Sequence, residues 1–293
     1  MQTYQDTLHP FIFDNTPVRG NVAHLNATYI DALQHQALPP LLKRALGELM
    51  TASALLISTL KMEGALILQL QGRGILKLLV VECSSDLEMR ATAKWDQSLL
   101  DKETAHHDTT FKQLITHGQF VITLDPKIGE PYQGIVPIEG DSIAEMLEHY
   151  MLRSQQIDTS IWLHCDGTQA AGMLLQKLPN QHAEDIDVWN RVNQLANTVT
   201  DAELMLAPID LLTRLFHEEE VRLFSARTTK AFCSCTRDSV ANMLTMLGHA
   251  EVDTIIEEQG SIQIHCDFCN KHYVFDEQET AQLFEDNAAS IKH

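Results

Sequence analysis

Four of the six cysteines form two close pairs in the last quarter of the chain. One residue separates Cys233 from Cys235, two separate Cys266 from Cys269, and thirty residues, 236–265, lie between the pairs. Zinc prefers four tetrahedral ligands with sulfur at about 2.3 Å, and two cysteine pairs joined by a longer segment are a typical sequence form of such a site. The sequence therefore predicts one Zn²⁺ per chain, bound by these four cysteines. The Cys-x-Cys spacing of the first pair is unusual, since most structural zinc sites repeat Cys-x-x-Cys.

The elements around the cysteines are predicted from helical and alternating patterns. A helix ending at Gly248 and a further helical turn follow the first pair, and the second pair lies on a hairpin that Tyr273 and Phe275 continue. A last helix begins after Asp276, with Glu279 completing the cap. A module of about 60 residues buries too little apolar surface to fold alone, whereas structural zinc contributes about 10 to 16 kcal/mol in finger peptides. We expect the module to unfold when zinc is lost.

Charge and composition limit the possible functions. The chain carries 40 acidic against 21 basic residues, a net charge of −19, and residues 231–293 carry eleven acids against three bases. Nucleic-acid binding depends on cationic side chains that neutralise phosphates, so we expect no nucleic-acid partner. The sequence has no secretory signal, and the apolar run 52–60 is too short to span a bilayer. We expect a cytoplasmic protein with no membrane partner, where clustered cysteines favour metal binding or redox chemistry over permanent disulfides.

The rest of the chain predicts an α+β fold. A long helical pattern, with Leu42, Leu46 and Leu49 on one face, precedes alternating runs at 65–70, 75–83 and 88–95, which are typical of an antiparallel meander. Asn26 is a candidate cap for a short helix before it. We predict a core domain over 1–178, with antiparallel or mixed sheets packed against helices, and a small C-terminal zinc domain over 231–293.

Between these domains, residues 179–230 are predicted to form a helical linker. The segment carries only helical signals, including a Thr200-x-x-Glu203 capping box, and its amphipathic pieces are too few to close a core of their own. It must therefore pack on the core domain, on the zinc module, or on both.

Several motifs along the chain closely resemble the heat shock protein 33 family of redox-regulated chaperones. The resemblance covers the whole chain in order. The C-terminal part matches through the two cysteine pairs, residues 258–262 and Tyr273-x-Phe275. The other matching motifs are Val18-Arg19-Gly20, Gly47-Glu48, Gln69-x-Gln71-Gly72-x-Gly74, Arg90-Ala91, residues 132–136, Leu175-x-x-Leu178-Pro179 and residues 215–219. Thr236 and Asp238 depart from the family pattern, which expects serine and glutamate there, but the four cysteines are intact.

The resemblance implies a holdase that works without ATP. The reduced, zinc-bound form would be inactive. Oxidation would form disulfides Cys233–Cys235 and Cys266–Cys269, release zinc, and unfold the zinc domain and the linker. The active form would dimerise and bind unfolding polypeptides through apolar side chains of the linker. The candidates for client binding are Trp189, Leu195, Leu212, Leu215 and Phe216. The cysteine count alone leaves all three pairings of four cysteines open.

Two other functions compete with this interpretation. Spacing alone favours a permanently structural zinc ribbon. Such a protein would bind nucleic acid or a protein partner, although the acidic charge opposes nucleic-acid binding. A thiol oxidoreductase would instead need one exposed, reactive cysteine in a Cys-x-x-Cys that opens a helix. Cys83 and Cys165 lie in strand patterns and are interpreted as buried apolar residues. The sequence contains no P-loop and no nucleophile elbow, and we expect no enzymatic activity.

Overall fold

The computed structural model describes residues 4–104, 110–115, 117–179 and 187–290. The chain divides into two compact units, Met1–Phe232 and Cys233–His293. The linker boundary predicted at residue 179 adjoins residues 180–186, which lie outside the described part. Within the described residues, every helix is too short or too polar to cross a membrane.

The first unit contains strands β1–β12 and helices α1–α8. The strands are β1 Thr7–Phe13, β2 Val18–Leu25, β3 Gly64–Gln71, β4 Leu76–Ser84, β5 Glu88–Trp95, β6 Gln119–Pro126, β7 Tyr132–Pro137, β8 Thr159–Cys165, β9 Ala170–Lys177, β10 Val221–Leu223, β11 Arg227–Thr228 and β12 Lys230–Ala231. The helices are α1 Ala27–Leu33, α2 Pro40–Ile57, α3 Gln97–Thr104, α4 Phe111–Leu114, α5 Ile143–Tyr150, α6 Val188–Ala196, α7 Asp201–Leu204 and α8 Pro208–Leu215, and a π-helical turn, Met151–Gln155, continues α5.

The strands form two six-stranded sheets. Sheet A has the order β10-β1-β2-β9-β8, with β11 also pairing with β1, and all of its pairs are antiparallel. Sheet B has the order β12-β5-β4-β3-β6-β7 and is antiparallel except where β12 runs parallel to β5. The predicted α+β class is confirmed.

From residue 49 to its end at Ile57, helix α2 is buried on every side because it contacts strands of both sheets. Its predicted leucine face is present, but Ala45, Ala52 and Ala54 on the other sides are also buried. A helix that is apolar all round is a core helix rather than a surface one. The helix ends at Ile57.

The cap predicted for helix α1 is wrong. The Asn26 side chain makes no capping hydrogen bond. Instead, the Asp6 carboxylate accepts hydrogen bonds from the backbone N–H groups of Asn26, Ala27 and Thr28, at 2.9, 3.0 and 2.7 Å. An anion at a helix N-terminus satisfies the free N–H groups and is favoured by the helix dipole. This anion comes from a residue twenty positions away, which no local motif indicates.

Sheet A is apolar on both faces. Along β9, Leu174 belongs to the core shared with α2 and sheet B, whereas its neighbours Met173 and Leu175 belong to a second core on the opposite face. Helices α6, α7 and α8 of the linker cover this second face. The linker therefore packs on the core domain, and its helices form the second apolar core together with sheet A.

The chain after α8 forms three short strands where only helix was predicted. β10 and β11 pair with β1 of sheet A, and β12 pairs with β5 of sheet B. Strands of two or three residues are too short to show an alternating pattern, so the prediction failed here. Together they attach residues 221–231 to both sheets of the first unit.

The second unit contains helices α9 Arg237–Leu247, α10 His249–Gln259 and α11 Glu277–Ser290, and a hairpin of β13 Ser261–His265 and β14 His272–Asp276. Its core is small. Among the described side chains, the buried apolar ones of this core are Leu244, Val252, Ile262, Tyr273 and Phe275. The predicted Asp276 cap is present, since its carboxylate accepts from the Glu279 backbone N–H at 2.9 Å.

Candidate metal centre

Cys233 and Cys235 lie in an extended segment that leads into α9. Thr236 is the N-cap of this helix, and its hydroxyl accepts a hydrogen bond from the Ser239 backbone N–H at 3.0 Å. The cap fixes the residue at which the helix begins. It therefore also fixes the backbone of Cys235, the residue immediately before it.

Cys266 and Cys269 lie in the tight turn between β13 and β14. The Cys266 backbone N–H donates to the Lys271 carbonyl at 3.0 Å, and the Asn270 N–H donates to the Cys266 carbonyl at 2.9 Å. Asn270 adopts a left-handed conformation with φ of 56°, which asparagine tolerates better than most residues. The turn directs both sulfurs toward the same point as those of the first pair.

The four Sγ atoms all lie within 4.8 Å of one another. The Sγ atoms of Cys233 and Cys266 are 3.6 Å apart, and those of Cys235 and Cys269 are 3.3 Å apart. A tetrahedron with metal–sulfur bonds of about 2.3 Å places its sulfurs about 3.8 Å apart. The observed sulfur distances fit a Cys₄ zinc site, and soft thiolate ligands select zinc over harder cations.

The surroundings of Cys269 disfavour a free thiolate at that residue. Burial raises the pKa of the Cys269 thiol to about 12, and the adjacent cysteine side chains act in the same direction. The Tyr273 hydroxyl donates to the Cys235 carbonyl at 3.1 Å and lies 3.2 Å from its Sγ. A bound cation would supply the charge that holds four thiolates together. His265 and His272 beside the turn are exposed and stack on each other, with ring centroids 4.2 Å apart.

The other two cysteines belong to the first unit. Cys83 on β4 and Cys165 on β8 are buried in the first core, as their strand patterns indicate. Burial raises the pKa of Cys83 to about 12 and also raises the pKa of Cys165. Both are therefore held as unreactive thiols.

The five residues predicted to bind clients all lie in the second core. Leu212, Leu215 and Phe216 are buried there, whereas Trp189 and Leu195 are partly buried at its margin. Phe216 packs edge to face on Phe13 of sheet A, with ring centroids 5.0 Å apart. Sequence reasoning missed the sheet residues that these side chains cover, although β9 shows apolar residues on both alternating faces. The missed residues are Phe11, Phe13, Val18, Val22, Ala171, Met173 and Leu175.

Comparison with known proteins identifies the family. A family model described as "Hsp33 protein" matches residues 6–276. The chain is 56% identical over 283 residues to the 33 kDa chaperonin of Methylobacillus flagellatus, covering 95% of this chain and 94% of that one. It is 48% identical over 286 residues to the 33 kDa chaperonin of Chromobacterium violaceum, covering 96% and 95% of the two chains.

A solved structure shares the fold. The crystal structure of the 33 kDa chaperonin (heat shock protein 33 homolog) from Thermotoga maritima matches with a TM-score of 0.79 at 21% identity, covering 97% of this chain and 99% of that one. The chain belongs to the heat shock protein 33 (Hsp33) family of redox-regulated chaperones.

Proposed function

We propose that the protein is an ATP-independent holdase whose activity is switched by oxidation of its four clustered cysteines. The observation that carries the proposal is the convergence of four sulfurs in a unit whose core, among the side chains that the structure describes, contains five buried apolar residues. Such a core is too small to hold the fold without the metal. The same cysteines would therefore be ligands, the main source of stability and the target of the oxidant.

Cys233, Cys235, Cys266 and Cys269 would hold one Zn²⁺ in the reduced, inactive form. When bound, zinc supplies a positive charge that keeps the four sulfurs deprotonated, the form that oxidants attack. Peroxide or hypochlorous acid would accept the electrons. Each disulfide formed removes two electrons from a pair of thiolates, and the oxidant takes up these electrons together with protons from solvent. Two disulfides would leave no free sulfur at the centre to ligate the metal.

We propose that the disulfides are Cys233–Cys235 and Cys266–Cys269. The support is the family resemblance and the short spacing within each pair. The sulfur distances of 3.6 and 3.3 Å join cysteines of different pairs, so proximity alone does not select this pairing. Peptide mapping of the oxidised protein by mass spectrometry would distinguish the three possible pairings.

The linker would respond to unfolding of the second unit. Strand β12 ends at Ala231, two residues before Cys233, so unfolding of the second unit would fray the chain that attaches the linker to sheet B. Trp189, Leu195, Leu212, Leu215 and Phe216 would then become available to clients. We propose 1–178, 179–230 and 231–293 as the functional divisions, with the linker as the metastable part.

Detachment of the linker would also uncover sheet A. Phe11, Phe13 and Met173 lie beneath α6–α8 and would become exposed at the same time. Burying each such side chain stabilises the folded state by roughly 1.5 to 3 kcal/mol, so their exposure creates a surface with a strong tendency to bind other apolar chains. We propose that this surface binds unfolding polypeptides and supports dimerisation, that the protein acts in the cytoplasm, and that it acts by binding rather than catalysis.

The test combines zinc release with client protection. Reduced protein is treated with peroxide or hypochlorous acid. Released zinc is measured with a chromogenic chelator, and aggregation of a heat-denaturing client is measured by light scattering. We expect about one zinc per chain, as a single four-cysteine site requires. Suppression of aggregation should begin only after oxidation, should need no ATP, and should reverse with a thiol reductant. If zinc is retained, or if zinc is lost without client protection, the site is a structural one and the proposal is contradicted.

A further inference from the structure

A small cavity opens in the first unit between α2, sheet B and the π-helical turn after α5. Its volume is about 70 Å³. Buried side chains of Leu56, Leu66, Ile122 and Met151 line it together with the partly exposed Leu60, Leu124 and Ile157, so it extends from the core to the surface. Most of its wall is therefore apolar.

One cation, Arg19 of β2, lines this apolar cavity. Its Nε and Nη2 donate to the Gln176 side-chain oxygen at 3.1 and 2.7 Å, and Nη2 also donates to the Thr59 carbonyl at 3.1 Å. Among the described residues, no carboxylate forms a salt bridge with Arg19, and its recorded hydrogen bonds are made through Nε and Nη2. The guanidinium is half-buried, and burial lowers its pKa. Buried charges are ordinarily paired with an opposite charge. The chain has 40 acidic residues, yet none of the described ones forms a salt bridge with Arg19.

The rim of the cavity carries further polar groups and an irregular backbone. Tyr150 and Gln155 line it, and the Gln155 amide donates to the Tyr150 hydroxyl at 3.3 Å. The π-helical turn Met151–Gln155 ends at Gln156, which has a left-handed conformation with φ of 55°. Single π-helical turns are rare and occur frequently at functional sites. The turn places Met151 and Gln155 at the cavity, on the side of α5.

We propose that this cavity is a binding site for a short aliphatic carboxylate. The carboxylate would accept hydrogen bonds from Arg19, with the Tyr150 hydroxyl as an additional donor, and the aliphatic chain would lie against Ile122 and Met151. An engineered protein cavity of about 150 Å³ binds benzene, so 70 Å³ suits a carboxylate with a chain of about three or four carbons. A cationic ligand would be repelled by Arg19, and an alcohol would leave the guanidinium without an ionic partner.

The test is a titration of the full-length, reduced, zinc-loaded protein, followed through methyl NMR signals. The probe is butyrate, and butanol and butylamine are compared at constant ionic strength. We expect saturable shifts of the Ile122 and Met151 methyl signals with butyrate. Because a hydrogen bond to a charged group contributes about 1.5 to 3 kcal/mol, butanol should bind at least about tenfold more weakly. Contacts between the butyrate methyl group and Ile122 in nuclear Overhauser spectra would locate the ligand.

The variant Arg19→Gln should weaken butyrate binding by about tenfold or more and leave butanol binding nearly unchanged. Arg90→Gln is the matched control, because Arg90 is a partly exposed arginine of sheet B whose partner is Glu82, and it should bind butyrate as wild type does. If Arg19→Gln does not fold, the comparison of butyrate with butanol on wild type decides the question. Absence of saturation, equal binding of both probes, or wild-type affinity in folded Arg19→Gln would overturn the proposal.

Discussion

Tyr273 connects the sulfur cluster to the core of the second unit. Its ring is buried beside Leu244 and Phe275, while its hydroxyl donates to the Cys235 carbonyl. The nearby sulfur of Cys235 raises the pKa of the phenol, so the hydroxyl remains a donor across the physiological range. One residue therefore couples apolar packing to the position of a metal ligand.

We expect Tyr273→Phe to loosen the metal centre without unfolding the unit. The variant keeps the buried ring and loses one hydrogen bond, which contributes about 1 kcal/mol, or a factor of about five in an equilibrium. The measurement is zinc transfer to a chromogenic chelator under reducing conditions. Tyr132→Phe, which changes a half-exposed phenol on β7, is the control and should match wild type. Equal transfer from both variants would show that the hydroxyl does not support the site.

The six thiols should differ sharply in reactivity. With its pKa raised to about 12, Cys83 is a buried neutral thiol at pH 8, and Cys165 is buried as well. Loss of zinc should unfold the second unit and expose its four thiols, whereas the first core stays folded, so alkylation of the zinc-free protein should label only the four clustered cysteines until denaturant is added. Mass spectrometry of the labelled peptides measures this. Early labelling of Cys83 would show that the first core opens together with the second unit.

Helix α8 holds the linker to sheet A chiefly through Phe216, which follows it. Phe216 is 1% exposed and packs on Phe13, whereas Ile209 at the other end of the helix is 58% exposed. Replacement of a buried phenylalanine by alanine typically costs about 3 to 5 kcal/mol. This is a large fraction of the stability of a typical domain, so α8 should detach before the rest of the unit unfolds.

We therefore expect Phe216→Ala to bind clients without oxidation and with its zinc still bound. Light scattering of a denaturing client and zinc content would be measured on the same reduced sample. Ile209→Ala is the matched control on the same helix and should remain inactive until oxidised. A reduced Phe216→Ala protein that leaves aggregation unchanged would contradict the role of the linker.

His24 makes attachment of the linker sensitive to pH. Its Nε2 donates to the Leu204 carbonyl of α7 at 2.9 Å, and among the described residues its Nδ1 has no partner. Burial lowers its pKa to about 4, and the nearby His9 also disfavours a second positive charge. The ring of Tyr4, another titratable residue, packs edge to face on the imidazole with ring centroids 5.1 Å apart.

Because the attached state holds His24 neutral, its contribution is present above the ordinary pKa of 6.5 and is lost as the pH falls toward 4. At pH 5 the loss is roughly 2 kcal/mol. We expect acidification from pH 7 to 5 to increase proteolysis of the linker, provided that zinc content is unchanged. His24→Gln keeps a donor for Leu204 and should lose most of this dependence. An unchanged pH profile in His24→Gln would show that other groups cause it.

The sequence predicted the elements that have a local signal and missed those that depend on distant partners. The three strands predicted at 65–70, 75–83 and 88–95 are observed as β3, β4 and β5, because their alternation is long enough to recognise. The Asp6 cap of α1 and the pairing of β12 with β5 join residues far apart in the chain. No local periodicity carries that information.

The candidate site likewise combines features with a local sequence signal and contacts that depend on distant residues. Four cysteines at two short spacings predicted a sulfur cluster because a metal site constrains residue type and position together. The covering of Phe11 and Phe13 by Phe216 joins side chains about 200 positions apart, and an amphipathic helix does not reveal which surface it covers. The second apolar face of sheet A became evident only from the structure.

At the scale of the whole molecule, the two units differ in what stabilises them. The first unit has two sheets and two large apolar cores, whereas the described part of the second has five buried apolar side chains and the sulfur cluster. The net charge of −19 opposes self-association of exposed apolar surface and would keep a client complex dispersed. Loss of the metal should therefore unfold one unit and leave the other folded and in solution.

We expect a zinc chelator under reducing conditions to unfold residues 233–290 selectively. Hydrogen exchange measured by mass spectrometry should show rapid exchange throughout α9–α11 and the β13–β14 hairpin, while α2 and the central strands of both sheets stay protected. Structural zinc in finger peptides contributes about 10 to 16 kcal/mol, which exceeds what a core of five side chains can replace. Addition of zinc should restore protection. Persistent protection of the hairpin after chelation would mean that this unit folds without metal, and oxidation would then need another route to the linker.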